Sequence, residues 1–242
     1  MNDTQGPCIY CLSSDGSFSA PEHVYPESLG NERIVLSPGT VCDECNHGIL
    51  AQLDQYLIDF EPIALLRVHR VPKTKQGKGP KANFQNMRIE RVDDDNIRLV
   101  AKDKTGGVRS RQKMGQGWVK LGFETRARPL RPVQLGRALY KVALGSIAFK
   151  QGPPAALEPR YDKARCFVRE GGSFRNNLFI RTQWRPHSKV TTRYTSAYGG
   201  TLFTIDIYGA SFAFNLEENP TLKLGPELEA LGLECYPLES ET

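Results

Sequence analysis

Long apolar runs are missing from these 242 residues. A bilayer-spanning helix needs about 20 consecutive apolar residues, and no stretch approaches that, so no membrane partner is expected. The first residues lack the charged start and apolar run of a secretory leader. With cysteines spaced as metal ligands, a reducing, cytoplasmic setting is expected. No glycine-rich phosphate loop is present, and there is no internal repeat. Basic residues are nearly absent from one end. Between Met1 and Leu66, Arg33 stands alone against ten acidic residues. The balance then reverses, with eighteen basic and six acidic residues from Arg67 to Arg131, a local net of +12. The tail after Asn215 is acidic again, and the whole chain carries +5. A basic middle of this kind suits a surface that tracks phosphates, although a merely solvated charged face has the same composition.

What is present lies in CIYCLSSDGSFSAPEHVYPESLGNERIVLSPGTVCDECNHGILAQLDQYL, residues 8–57. Two Cys-x-x-Cys pairs, Cys8/Cys11 and Cys42/Cys45, bracket it. Each pair is half of a tetrahedral thiolate site, because a tight knuckle turns both sulfurs the same way. Together they predict a Cys₄ structural zinc. Four free cysteines or two disulfides are the competing readings. Cys166 and Cys235 stand apart in apolar surroundings and are expected to be ordinary buried thiols.

Glu22 and His23 are adjacent, and in an extended segment neighbouring side chains face opposite ways. A carboxylate can then hold a hard cation while the imidazole serves as general base. Asn46 follows the fourth cysteine directly, so a metal knuckle would fix it, and its amide oxygen suits magnesium or manganese. Taken singly, His23 reads as a packed or surface histidine and Asn46 as a turn residue; it is the constellation that points to chemistry.

The pattern C-x2-C…E-H-V-x-P-x-S-L-G…V-C-x-x-C-N-x-G…L-D resembles the HNH endonucleases of the ββα-metal, or His-Me finger, fold. The resemblance is closest to the subgroup stapled by Cys₄ zinc, and it covers about a fifth of the chain. It implies that Glu22 and Asn46 bind a catalytic Mg²⁺ or Mn²⁺, that His23 activates water, and that Asn46 opens a helix running to about Leu57. The central Asn that pins the loop in this family falls near Ser37. A further ligand seen in colicin-type members falls at Leu50, which cannot bind metal. His47 is left as a substrate contact. Candidate phosphate contacts are Ser37, Lys73, Lys75, Lys78, Arg109 and Arg111.

The rest of the chain predicts an α+β domain over residues 61–242, with an antiparallel sheet and a basic amino-terminal half, behind a finger over residues 1–60. A connector and a short helix or strand span 59–71. A basic loop covers 72–80. A hairpin covers 84–101, a second basic loop 102–114 and a strand 118–125. The clearest helix is 132–149, with Pro132 in its first turn and Arg137 and Lys141 on its edge. A second helix spans 159–169, closed by Gly171 and Gly172. Strands follow at 177–184, 189–195, 201–208 and 210–216. His69 and His187 are expected on the surface or in a turn.

The expected activity is metal-dependent hydrolysis of DNA phosphodiesters, with the later domain choosing the substrate or regulating the cut, in restriction or phage defence among other settings. RNA stays open as a substrate, and a homodimer is one route to a double-strand cut. The alternatives are a zinc-stapled module that grips nucleic acid without cutting, and a ligand-regulated defence effector.

Overall fold

The computed structural model describes residues 6–71, 77–84, 87–92, 97–101, 110–113, 119–122, 128–181, 189–197, 200–218, 230 and 232–238. In the finger, β1 (Glu22–His23) pairs antiparallel with β2 (Val35–Leu36), placing Glu22 opposite Leu36 and His23 opposite Val35. Between them a 3₁₀ turn, Glu27–Leu29, ends at Gly30, whose φ of 74° favours a residue without a Cβ. Helix α1 (Asp43–Cys45) runs into a π-helical turn, Asn46–Leu50, and then into α2 (Ala51–Asp59). Gly48, at φ −93° and ψ −106°, breaks the helical path inside that turn. Beyond it Leu50, Leu53 and Leu57 recur at helical spacing and are all buried. Helix α3 (Glu61–Arg70), with Pro62 in its first turn, fills the span expected as a connector and short element.

Strands β3 (Lys81–Phe84), β4 (Met87–Arg91) and β5 (Ile97–Ala101) form an antiparallel three-stranded sheet, wider than the hairpin expected over 84–101. The basic stretch expected as a loop over 102–114 contains β6 (Ser110–Lys113), which pairs with β7 (Val119–Gly122). Next come α4 (Pro132–Gln151), the short α5 (Pro153–Ala156) and α6 (Asp162–Glu170). The last sheet, in the order β12-β8-β11-β10-β9, is antiparallel throughout. Its members are β8 (Asn177–Arg181), β9 (Val190–Ala197), β10 (Gly200–Ile207), β11 (Ala210–Asn215) and β12 (Leu233–Pro237). Strand β12 was not expected from the sequence. No described helix is long and apolar enough to cross a membrane.

Helix α4 is the axis of the molecule. Every residue from Ala138 to Ala148 is buried, which fits a helix covered on all sides rather than one lying on a surface. One side carries Tyr140, packed edge-on against Phe167 and Phe174 and tilted against Phe214. Each such ring removed from water contributes about 1.5–3 kcal/mol. The finger covers the other side. A Cβ on Gly145 would lie 3.2 Å from the Tyr10 hydroxyl and 3.5 Å from Val24, so only glycine allows this close approach comfortably. The Tyr10 hydroxyl donates to the Lys141 carbonyl at 2.9 Å. The Tyr208 hydroxyl, at the turn between β10 and β11, donates to the Leu29 carbonyl. One apolar cluster therefore includes Ile9 and Leu53 of the finger together with Leu139, Phe203 and Phe212.

Three expectations are corrected here. Lys141 is not on a helix edge but 0% exposed, because the finger's carboxylates meet it there. Cys166 is exposed rather than buried. Helix α6 turns Ala164, Phe167 and Val168 inward, and position 166 falls outside that face. Cys235, on the sheet's edge strand β12, is only partly covered.

Candidate active site

The four cysteines of the two knuckles place their sulfurs within 4.8 Å of one another. Cys11 Sγ and Cys42 Sγ are 3.6 Å apart. That is far beyond a disulfide bond of about 2.05 Å. It is close to the roughly 3.8 Å edge of a tetrahedron built on 2.3 Å zinc–sulfur bonds. The quartet is consistent with a structural zinc. In the first knuckle the Leu12 N–H donates to the Cys8 carbonyl at 2.9 Å, and Leu12 takes a left-handed φ of 60° to do so. In the second, the Cys45 N–H points at Cys42 Sγ, 3.5 Å away. Four sulfurs this close cannot all ionise without a cation. The Cys8 thiol is held down to about 4, chiefly by a hydrogen bond from Cys45. Burial pushes Cys42 up to about 11, and Cys45 is raised by the bond to Cys8 and by burial. Asp43 locks the second knuckle to the preceding loop, accepting from the Ser19 hydroxyl at 2.7 Å and the Ala20 N–H at 3.0 Å.

From this clamp the chain presents the predicted site residues on two adjoining elements. Asn46 extends from the end of α1, and its Nδ2 donates to the Pro21 carbonyl at 3.1 Å. That bond ties the helix to the residue preceding Glu22 and leaves the amide oxygen turned elsewhere. On β1 the alternation expected of a strand is observed. Glu22 is 5% exposed, while the His23 side chain is 28% exposed with Nε2 3.7 Å from Glu27 Oε2. The imidazole thus reaches solvent, and the carboxylate faces the interior.

The loop-pinning role expected near Ser37 belongs to Asn31. Its Nδ2 donates to the carbonyls of Tyr25 (2.8 Å) and Ile34 (2.9 Å), and its Oδ1 accepts from the Ile34 N–H at 2.9 Å. Asn31 is 1% exposed. Ser37 is exposed, and its carbonyl accepts from the Thr40 N–H. Leu50 is fully buried core, in keeping with its exclusion as a ligand. His47 is exposed, yet near enough to Glu22 to favour its ionised form. Lys78 is exposed. Arg111 lies on β6. Lys73, Lys75 and Arg109, like His187, lie outside the described residues.

Two residues given no role by the sequence complete the cluster. Lys141 Nζ lies 2.5 Å from Glu22 Oε1, 3.0 Å from Asp54 Oδ1 and 2.7 Å from the His23 carbonyl oxygen. Burial opposes the ammonium, but the two carboxylates outweigh it and raise the Lys141 pKa. Burial raises both Glu22 and Asp54, an effect Lys141 partly offsets. One ammonium facing two carboxylates leaves excess negative charge when both are ionised. The only sequence signals were a lysine inside the apolar run ALYKVALG and the Asp that closes the L-D of the finger pattern.

By donor type Glu22 and Asn46 suit a hard divalent cation, a carboxylate and an amide oxygen being what such ions prefer. Glu22 is buried, and its Oε1 pairs with the Lys141 ammonium. Residues 8–60 match a family model described as HNH endonuclease. No curated protein and no solved structure matches the chain.

Proposed function

From the HNH endonuclease match over residues 8–60 and this constellation, we propose that the protein hydrolyses phosphodiester bonds in DNA with a divalent cation. The observation that carries this reading is the pairing of a solvent-reaching His23 with an inward Glu22, beside an Asn46 tied to the same strand. His23 takes the proton from a water, which attacks phosphorus in line. Glu22 and Asn46 would hold Mg²⁺ or Mn²⁺, which would supply positive charge to the phosphate, and the 3′ oxygen leaves and takes up a proton from solvent. The products carry 5′-phosphate and 3′-hydroxyl ends. The zinc quartet takes no part in the chemistry; it holds Asn46 in register with the strand. His47 and the basic middle, Lys73, Lys75, Lys78, Arg109 and Arg111 included, grip the phosphate backbone, and the chain beyond residue 60 selects the substrate.

Occupation of Glu22 by Lys141 favours a second reading, a finger that grips nucleic acid without cutting. His23→Ala separates the two. Under the nuclease reading the variant binds a labelled duplex as tightly as the wild type in a gel-shift assay but cuts it at least about 100-fold more slowly, the scale of a lost general base. Equal behaviour of variant and wild type in both assays supports the grip alone.

A further inference from the structure

Lys141 is separated from His23 by 118 residues and from Asp54 by 87, and it lies outside the segment that matches the family. Burying an ammonium is costly unless each of its donors and its charge find partners. An apolar residue at this point of α4 would avoid that cost. Its three N–H groups instead face three acceptors on three different groups: the Glu22 carboxylate, the main-chain carbonyl of His23, and Asp54 on α2. Balancing a stray carboxylate needs only one of these contacts. The bond to the His23 carbonyl balances no charge, but it anchors the backbone that carries the imidazole. The contact with Glu22 restrains the carboxylate.

We propose that Lys141 is a positioning residue of the site. It holds the Glu22 carboxylate and the His23 main chain in the arrangement that receives the cation and the water, with Asp54 as its counter-charge. Helix α4 thereby completes a site that the finger alone leaves unfinished. The assignment rests on the reading that Glu22 and Asn46 take a divalent ion.

Two full-chain variants test it. Lys141→Met/Asp54→Asn removes the ammonium and one carboxylate together, keeping the net charge. Lys141→Arg keeps the charge and moves it. Each is measured for zinc content, thermal melting, Mn²⁺ dissociation constant by electron paramagnetic resonance without DNA, and cleavage kinetics, beside the wild type and His23→Ala. The expected result is a zinc-loaded, folded double variant that binds Mn²⁺ about 10–100-fold more weakly, the usual effect of losing a partner of a metal-holding group. Its kcat falls on the same scale with KM for DNA nearly unchanged. Wild-type Mn²⁺ affinity and kcat in that variant would reduce Lys141 to a charge balance and overturn the proposal. If the double variant does not fold, Lys141→Arg decides: weakened Mn²⁺ binding supports positioning, and wild-type affinity overturns it. A wild type that neither binds Mn²⁺ nor cuts overturns the nuclease reading and this assignment together. A wild type that does both, beside a dead His23→Ala and undisturbed Lys141 variants, overturns this assignment alone.

Discussion

Asn31 makes three hydrogen bonds to main-chain groups in a volume closed to water. Asn31→Ala strands the Tyr25 carbonyl and the Ile34 N–H, while the Ile34 carbonyl keeps the Val24 N–H; the expected cost is about 2–4 kcal/mol, read from urea unfolding. A loss below about 0.5 kcal/mol, the scale of an ordinary surface change, would deny Asn31 its pinning role. Asp43 gives a pH-dependent test at the same scale. Hydrogen bonds from Ser17 and Ser19 and from the Ala20 N–H depress its carboxyl below the usual range. A depressed folded pKa contributes stability that is complete above the unfolded value, about 3.9, and lost as pH falls through the folded one. The wild type should therefore exceed Asp43→Asn in stability by a constant margin from neutral pH down to about 5, with the margin shrinking below about 4. A margin that grows on acidification contradicts that assignment. The sequence placed the pin near Ser37 because it was counted back from Cys42. The loop between β1 and β2 instead turns earlier, and the side chain able to bond both Tyr25 and Ile34 stands at 31.

At the scale of elements, the finger depends on the quartet. It has two strands of two residues each and a helix broken at Gly48, too little regular structure to hold itself. A structural zinc is worth about 10–16 kcal/mol in isolated fingers, as much as the whole stability of a typical domain. Cys42→Ser should therefore lose bound zinc and melt the finger, seen as loss of amide protection over residues 8–57 and loss of cutting. A variant with wild-type melting and zinc content would contradict the clamp. The two knuckles and the strand-then-helix order were legible because the chemistry fixes their spacing. So was α4, whose apolar run has no other use. Strand β12 was not, because LECYP is short and gains its place only by pairing with β8, more than fifty residues earlier. Nor was the burial of Lys141. Helical periodicity puts it at the margin of an apolar stripe, and the carboxylates that draw it inward arrive from a distant part of the chain.

At the scale of the molecule, the proposed function divides the work between the acidic finger, which does the chemistry, and the basic residues that follow, which grip. On that reading the carboxylates of the finger oppose a phosphate backbone, and affinity comes from residues 67–131, where the net charge is +12. Engagement of about five phosphates there predicts that DNA affinity falls about 500-fold between 50 and 200 mM salt. An affinity indifferent to salt would place the grip elsewhere. The central claim is metal-dependent cutting by His23. It is tested most directly by incubating supercoiled plasmid with the purified protein in Mg²⁺, in Mn²⁺ or in EDTA, beside His23→Ala. The account predicts nicked or linear plasmid with one of the metals, and none with EDTA or with the variant. Intact plasmid with both metals and the wild type, or equal cutting by His23→Ala, would contradict it.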